Sequence, residues 1–189
     1  MEKNRKIQII EAAVKRFTKH GLSKTTLDEV ARDLRIGKAT IYHYFNSKDE
    51  LYFATIDYRI NEFIEEVKNI FTSEEKPLEQ KLVDYFEFKG NFDTNYLLVY
   101  ELMLRVMKGD GLENEINAIK NFLIKEKELF TNLVKQIKSI KSENKNLPEF
   151  FVIQSWGFLF AQKLKRLSNT EQFETTKDTA QMILKNIFS

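Results

Sequence analysis

Lys38-Ala39-Thr40-Ile41-Tyr42-His43-Tyr44-Phe45 packs an ammonium, a hydroxyl, two phenols and an imidazole into about two turns of helix. Ile41 and Phe45, four apart, share one face, which leaves Lys38, Thr40, Tyr42, His43 and Tyr44 to the outside. Those types suit a nucleic-acid groove: Lys for phosphate or guanine, Thr for phosphate or a thymine methyl, Tyr and His for phosphate oxygens and base edges. Ala39 is small enough to let the helix N-terminus come close to a duplex. Thr26 and Lys48 flank the stretch as phosphate clamps, the first helped by a helix dipole. Taken singly, the aromatics are more often core residues and His43 a packed or surface one; their order within a longer pattern decides for binding.

The rest of the composition narrows the chemistry. The 189 residues include no Cys and only two His, which excludes disulfide scaffolds, thiolate metal sites and a Cys nucleophile and leaves little for zinc. No phosphate-cradling Gly loop, metal-ligand cluster or nucleophile motif is present, and the many carboxylates read as scattered over helix surfaces, so neither an enzyme, a metal site nor a cofactor is expected. The net charge of +2 is unevenly spread: residues 1 to 45 hold ten Lys or Arg and five Asp or Glu, a net +5, leaving −3 for residues 46 to 189. A basic end of this kind suits nucleic acid. Lys3, Arg5 and Lys6 read as a solvated tail, with a minor-groove arm as the second reading. Apolar runs such as 96–100 and 156–161 are far short of the roughly 20 residues of a membrane span. The charged N-terminus has no secretory apolar core, which predicts a cytoplasmic protein without membrane attachment.

Apolar residues recur at helical spacing nearly throughout, with only two Pro and six Gly to break them, so the chain is predicted to be all-α. Ile7, Ile10, Val14 and Phe17 mark a first helix ending near His20-Gly21. Thr25 or Thr26 caps a short second helix with the face Leu27, Val30, Ala31 and Leu34, and Asp28 and Glu29 stand where a capping box needs them. After Arg35-Ile36-Gly37 comes a third helix over 38–45, and Ser47 with Glu50 caps a long fourth to about Phe71. Polar or Gly-bearing loops over 73–77, 90–95, 108–111, 142–147 and 168–170 leave five more helices, over 78–89, 96–107, 112–141, 148–167 and 171–188. The expectation is nine helices in two domains: residues 1–46 with a helix-turn-helix over 26–45, and a helical domain over 47–189, rigidly joined by the fourth helix.

Two short helices joined by a tight turn, the second polar outward, form a helix-turn-helix. Residues 7 to 53, with Ala12-Ala13, Phe17, Gly21, Thr25-Thr26-Leu27, Val30-Ala31, Lys38 to Phe45, Ser47-Lys48 and Glu50-Leu51, resemble the DNA-binding segment of TetR/AcrR-type transcriptional regulators. The resemblance covers about a quarter of the chain and departs from the family pattern in the turn: Arg35 stands where Gly is common, Gly37 where Ser is frequent and Ala39 where Gly often sits. An Arg35 forced into left-handed backbone carries on the order of 1 to 2 kcal/mol of strain. The resemblance implies a homodimer on a palindromic operator in double-stranded DNA, with repression relieved by a small molecule.

In the eighth predicted helix Phe150, Ile153, Gly157, Phe160, Leu164 and Leu167 share a stripe while Phe151 and Phe158 lie off it, so more than one face is apolar. That predicts a twofold four-helix interface from the last two helices, with Phe150, Gly157, Phe160, Leu164, Ile183 and Ile187 in it; burial of both faces within one chain is the alternative. Aromatics and Met crowd the middle of the chain. Most are core by base rate, but Tyr85, Phe88, Tyr96, Tyr100, Glu101, Met103, Phe122, Phe130 and Trp156 are candidates to line a lipophilic effector site. A buried Glu101 would select a cationic effector, and Arg105 an anionic one. A second functional reading, a DNA-anchored interaction protein whose large domain holds a protein partner, fits the same fold.

Overall fold

A computed structural model of the chain describes residues 2–136, 146–168, 178, 181 and 182, with side-chain burial for most of these. Among them nine helices and no strand occur: α1 Glu2–Lys24, α2 Leu27–Asp33, α3 Lys38–Tyr44, α4 Lys48–Thr72, α5 Leu78–Gly90, α6 Phe92–Asn95, α7 Leu97–Met107, α8 Glu113–Gln136 and α9 Leu147–Ser168. The all-α expectation holds. One member of the nine differs: α6 stands in a stretch read from composition as loop, whereas the predicted helix over 171–188 lies almost wholly outside the described residues, as do residues 137–141 of the seventh predicted helix. Burial explains α6. Phe92 is 1 % exposed, its ring wedged among Phe63, Phe122 and Trp156, and the chain satisfies its backbone there by winding once, with the Asn95 N–H donating to the Asn91 carbonyl.

The chain packs as two compact units, residues 1–62 with 96–119, and residues 63–95 with 120–189; the division cuts α4 and α8. This packing division is distinct from the functional one expected between residues 46 and 47, because α7 and the start of α8 belong to the first unit.

In the first unit Ile9, Ala13, Phe17, Val30, Ile41, Phe45, Leu51 and Ile56 are buried. They come from α1 to α4, at the spacing that puts each on its helix's inner face. Arg16 of α1 grips Asp33 of α2 through Nε at 2.5 Å and a second nitrogen at 2.8 Å, and this guanidinium holds the Asp33 carboxyl below its ordinary value. Arg105 of α7 donates to the Tyr52 hydroxyl of α4 and pairs with Glu115 of α8.

The second unit has an aromatic core in which Phe63, Phe92, Phe122 and Trp156 meet mostly edge to face, and Tyr85, Phe130 and Phe151 continue the cluster. Inside it lies a closed polar group. Lys89 Nζ donates to Glu126 at 2.5 Å, Ser155 at 2.7 Å and the Tyr85 hydroxyl at 3.1 Å, and sits 3.9 Å from the Trp156 ring centroid. Trp156 Nε1 donates to the second Glu126 oxygen at 2.9 Å. Burial pulls the Lys89 pKa down to about 8, with Glu126 opposing the shift. The reading of the carboxylates as surface groups is thereby corrected for Glu126 and for Glu115, 0 % and 3 % exposed. Each is held by a cation that makes burial tolerable.

Candidate nucleic-acid interface

The helix-turn-helix is built from three local devices. Gly21, at φ 75 and ψ 170, breaks α1 with a backbone that only glycine adopts readily, and the Thr25 hydroxyl then donates to the Gly21 carbonyl. Thr26, not Thr25, is the N-cap of α2. Its hydroxyl accepts from the Glu29 N–H, and its own N–H donates to the Glu29 carboxylate at 2.9 Å, completing a capping box and holding that carboxyl below its ordinary value. At the other end of α2, Ile36 N–H donates to the Ala31 carbonyl and Arg35 N–H to that of Arg32, the paired bonds of a Schellman turn.

That turn needs a left-handed residue, and Arg35 supplies it at φ 53, the only described non-glycine residue with positive φ. Replacing it should therefore relieve strain: Arg35→Gly removes roughly 1 to 2 kcal/mol of αL cost and restores part of it as unfolded-chain freedom. The expected net gain of about 0.5 to 1 kcal/mol is measurable by urea titration, and a loss of stability would show that the Arg35 side chain contributes something the turn geometry does not reveal.

Glycine at 37 leaves α3 without a side-chain cap, and α3 is held instead from beneath by Ile41 and Phe45, 0 % and 1 % exposed. Their burial turns the other face outward. Lys38, Ala39, Tyr42 and His43 are exposed, and Thr40 and Tyr44 are half-buried, the Tyr44 ring standing edge-on to His43 at 5.0 Å. Two of the expected clamps are already engaged. The Thr26 hydroxyl donates to Glu29 at 3.0 Å, and Lys48 Nζ donates to the Leu22 carbonyl at 2.9 Å. Lys38 likewise pairs with Asp28, a residue that sequence reasoning had read only as a cap partner. The spacing of ten residues gives no periodic signal for such a pair, because it spans the turn.

The nine effector candidates fall in separate places. Tyr85, Phe88, Phe122, Phe130 and Trp156 belong to the second unit, all but Phe88 buried and interlocked with other rings. Tyr96, Tyr100 and Met103 are buried in the first unit, where Arg59 lies 4.5 Å over the Tyr96 ring. Glu101 is exposed, which removes the premise of a buried anionic selector. An open groove of about 630 Å³ on the second unit is lined by Ile64, Lys68, Thr72, Leu129 and Leu133 among others, and by none of the nine. On α9, Phe150, Gly157 and Leu164 are exposed together with Ile153, and Phe160 is half-buried, while Phe151 and Leu159 face inward. Ile183 and Ile187 lie outside the described residues. Among the described residues no helix is long and apolar enough to cross a membrane.

Two short helices, the first closed by a capping box, a tight turn between them and an outward polar face on the second form a helix-turn-helix. Residues 9–55 match the family described as bacterial regulatory proteins, tetR family. Over its first part the chain is similar to the HTH-type transcriptional regulator YhgD of Bacillus subtilis, 48 % identical over 52 residues, a match spanning 28 % of this chain and only 27 % of that protein. Similarity to the biofilm operon icaADBC negative transcriptional regulator IcaR of Staphylococcus aureus runs the full length: 29 % identity over 190 residues, 97 % of this chain and 98 % of that one. A transcriptional regulator from Cytophaga hutchinsonii shares the fold at a TM-score of 0.68 and 28 % identity, covering 96 % and 97 % of the two chains. FadR of Bacillus subtilis, solved in complex with stearoyl-CoA, shares the fold at a TM-score of 0.60 and 20 % identity, covering 97 % of each chain. Residues 9–55 thus carry the DNA-binding segment of the tetR family, and along its whole length the chain is similar to a transcriptional regulator.

Proposed function

We propose that the protein is a cytoplasmic homodimeric repressor that holds a palindromic operator through α3 and lets go when a lipophilic small molecule binds. The observation that carries the reading is the two-faced α3: Ile41 and Phe45 fully buried, with Lys38, Ala39, Tyr42 and His43 exposed on a helix that fits a major groove. In this reading residues 1–46 are the reading domain and 47–189 hold effector and partner. Thr40 and Tyr44 complete the reading face, and Thr26 and Lys48 give phosphate contacts. Repression is the role of IcaR, a negative transcriptional regulator of its operon.

Twofold symmetry is supported by the apolar stripe on α9. Phe150 is 46 %, Ile153 60 % and Leu164 60 % exposed in the single chain, far more than isolated core-type residues of one helix face would be left. A lipophilic effector is supported by the aromatic interior of the second unit, where Tyr85, Phe88, Phe122, Phe130 and Trp156 would part to admit it, and by the stearoyl-CoA bound to FadR. The 25 residues of α4, roughly 38 Å at 1.5 Å each, begin directly after the reading domain, so an effector that prefers one setting of α4 shifts operator affinity. An effector with equal affinity for both settings would shift nothing.

The test is selection of duplexes from a random pool, alongside sedimentation of the parent and of a Phe150→Asp, Leu164→Asp variant. The parent should sediment as a dimer and select an inverted repeat with half-sites about one helical turn or a multiple of it apart. The variant should be monomeric and bind that repeat at least about a hundredfold more weakly, having lost the linkage of two half-sites. A monomeric parent, or a single asymmetric site, overturns the proposal.

A further inference from the structure

We infer that Asp28 sets the sequence discrimination of the reading helix: it holds Lys38 in a neutral, oriented pair, so that the ammonium adds little to general phosphate affinity and is released where base edges replace its partner. The inference rests on α3 being the DNA-facing helix.

Lys38 opens α3 and Asp28 lies in the first turn of α2. The Nζ is 2.9 Å from one Asp28 oxygen and 3.0 Å from the other, and 5.7 Å from the Tyr42 ring centroid, so it is bounded on two sides rather than sweeping freely. Both side chains stay open to solvent, 55 % and 54 % exposed. Exposed pairs of this kind add little to folding, which leaves another role for the contact. The carboxylate also keeps the Lys38 ammonium above its ordinary pKa, so the charge itself is never in question near neutrality.

Phosphate affinity without sequence preference is counted in net cations, each adding about 0.9 to the slope of log affinity against log salt. Lys38 beside Asp28 is not a net cation: whatever phosphate the ammonium attracts, the carboxylate repels. Lys48 differs, because its partner is the neutral Leu22 carbonyl and its charge is undiminished. The two lysines therefore divide the work, Lys48 giving affinity for any duplex and Lys38 giving discrimination. In the major groove a G·C pair offers acceptors at guanine N7 and O6 and a donor at cytosine N4. A Lys and an Asp side by side present the complementary donor and acceptor, so a G·C pair satisfies both groups at once, whereas a phosphate satisfies one and opposes the other. The pair thus favours G·C under the N-terminus of α3.

The experiment compares parent, Asp28→Asn, Lys38→Gln, the double variant and Tyr42→Ala on the selected operator and on a scrambled duplex, by anisotropy over a range of KCl. Asp28→Asn should bind scrambled duplex about fivefold or more tightly at low salt, steepen the salt slope by about 0.9, and lower the operator-to-scrambled ratio about five- to tenfold, with the melting temperature unchanged. In the Lys38→Gln background the same change should do nothing. An Asp28→Asn protein with the parent's slope and ratio overturns the inference, as does an equal effect with and without Lys38, which would mark a diffuse charge effect. If Tyr42→Ala and Lys38→Gln both bind operator as the parent does, it is the DNA-facing reading of α3 that fails; if they weaken binding while Asp28→Asn is silent, only the role of Asp28 fails.

Discussion

Lys89→Met is expected to lower the unfolding free energy of the second unit by about 3 to 5 kcal/mol, because it leaves the Glu126 carboxylate charged, buried and without a counterion. Both side chains of the pair are 0 % exposed. Adding Glu126→Gln should restore most of the loss. Gln removes the uncompensated charge while keeping an acceptor oxygen for the Trp156 Nε1 and turning an amide N–H to the Tyr85 hydroxyl, which can accept it; a Leu at 126 would strand both groups at about 1 to 3 kcal/mol each. Trp156 is the chain's one tryptophan and lies against the Lys89 ammonium, so its fluorescence in a urea titration reports this cluster directly.

A pH dependence separates the pair from ordinary packing. With its folded pKa drawn down to about 8 from the ordinary 10.5, Lys89 binds fewer protons folded than unfolded above pH 8. Stability of the parent should therefore rise from pH 8 towards 10, and Lys89→Met should lack that rise. A flat parent profile would show that Glu126 holds the proton on Lys89 through that range.

In the first unit, Phe45→Ala should cost about 3 to 5 kcal/mol by loss of a fully buried ring. The consequence for binding is larger than the loss of one contact. At seven residues α3 is too short to persist as an isolated helix, and Ile41 and Phe45 are the fully buried side chains that anchor it in the core. Loosening them should reduce operator affinity more than about a hundredfold and lower the melting temperature together. The outward residues should behave differently, losing binding without losing stability.

Much of this was legible in the sequence, for reasons that particular residues make clear. Caps and glycine breaks are local: Thr26 with Glu29, and Gly21 at positive φ, stand where their types and spacing put them. Ser47 caps α4 as its spacing predicts, but Glu50 reaches back to the Asn46 N–H instead of completing a box with Ser47. The left-handed Arg35 was likewise readable from its place in a turn where glycine is common. What sequence reasoning missed depends on tertiary burial. Lys89 follows Leu82 and Tyr85 on the inner stripe of α5, and Glu126 lies four from both Phe122 and Phe130 on that of α8. Opposite charges at two core positions were the available signal, and treating every carboxylate as surface passed over it. The helical turn of α6 carries no periodicity over four residues, and only the burial of Phe92 reveals it.

The central claim is that α3 presents its outer face to DNA, and the most direct measurement is operator affinity beside melting temperature for Tyr42→Ala and His43→Ala, singly and together. The account predicts at least a tenfold loss of affinity in the double variant with an unchanged melting temperature. A double variant that binds operator as tightly as the parent would contradict it.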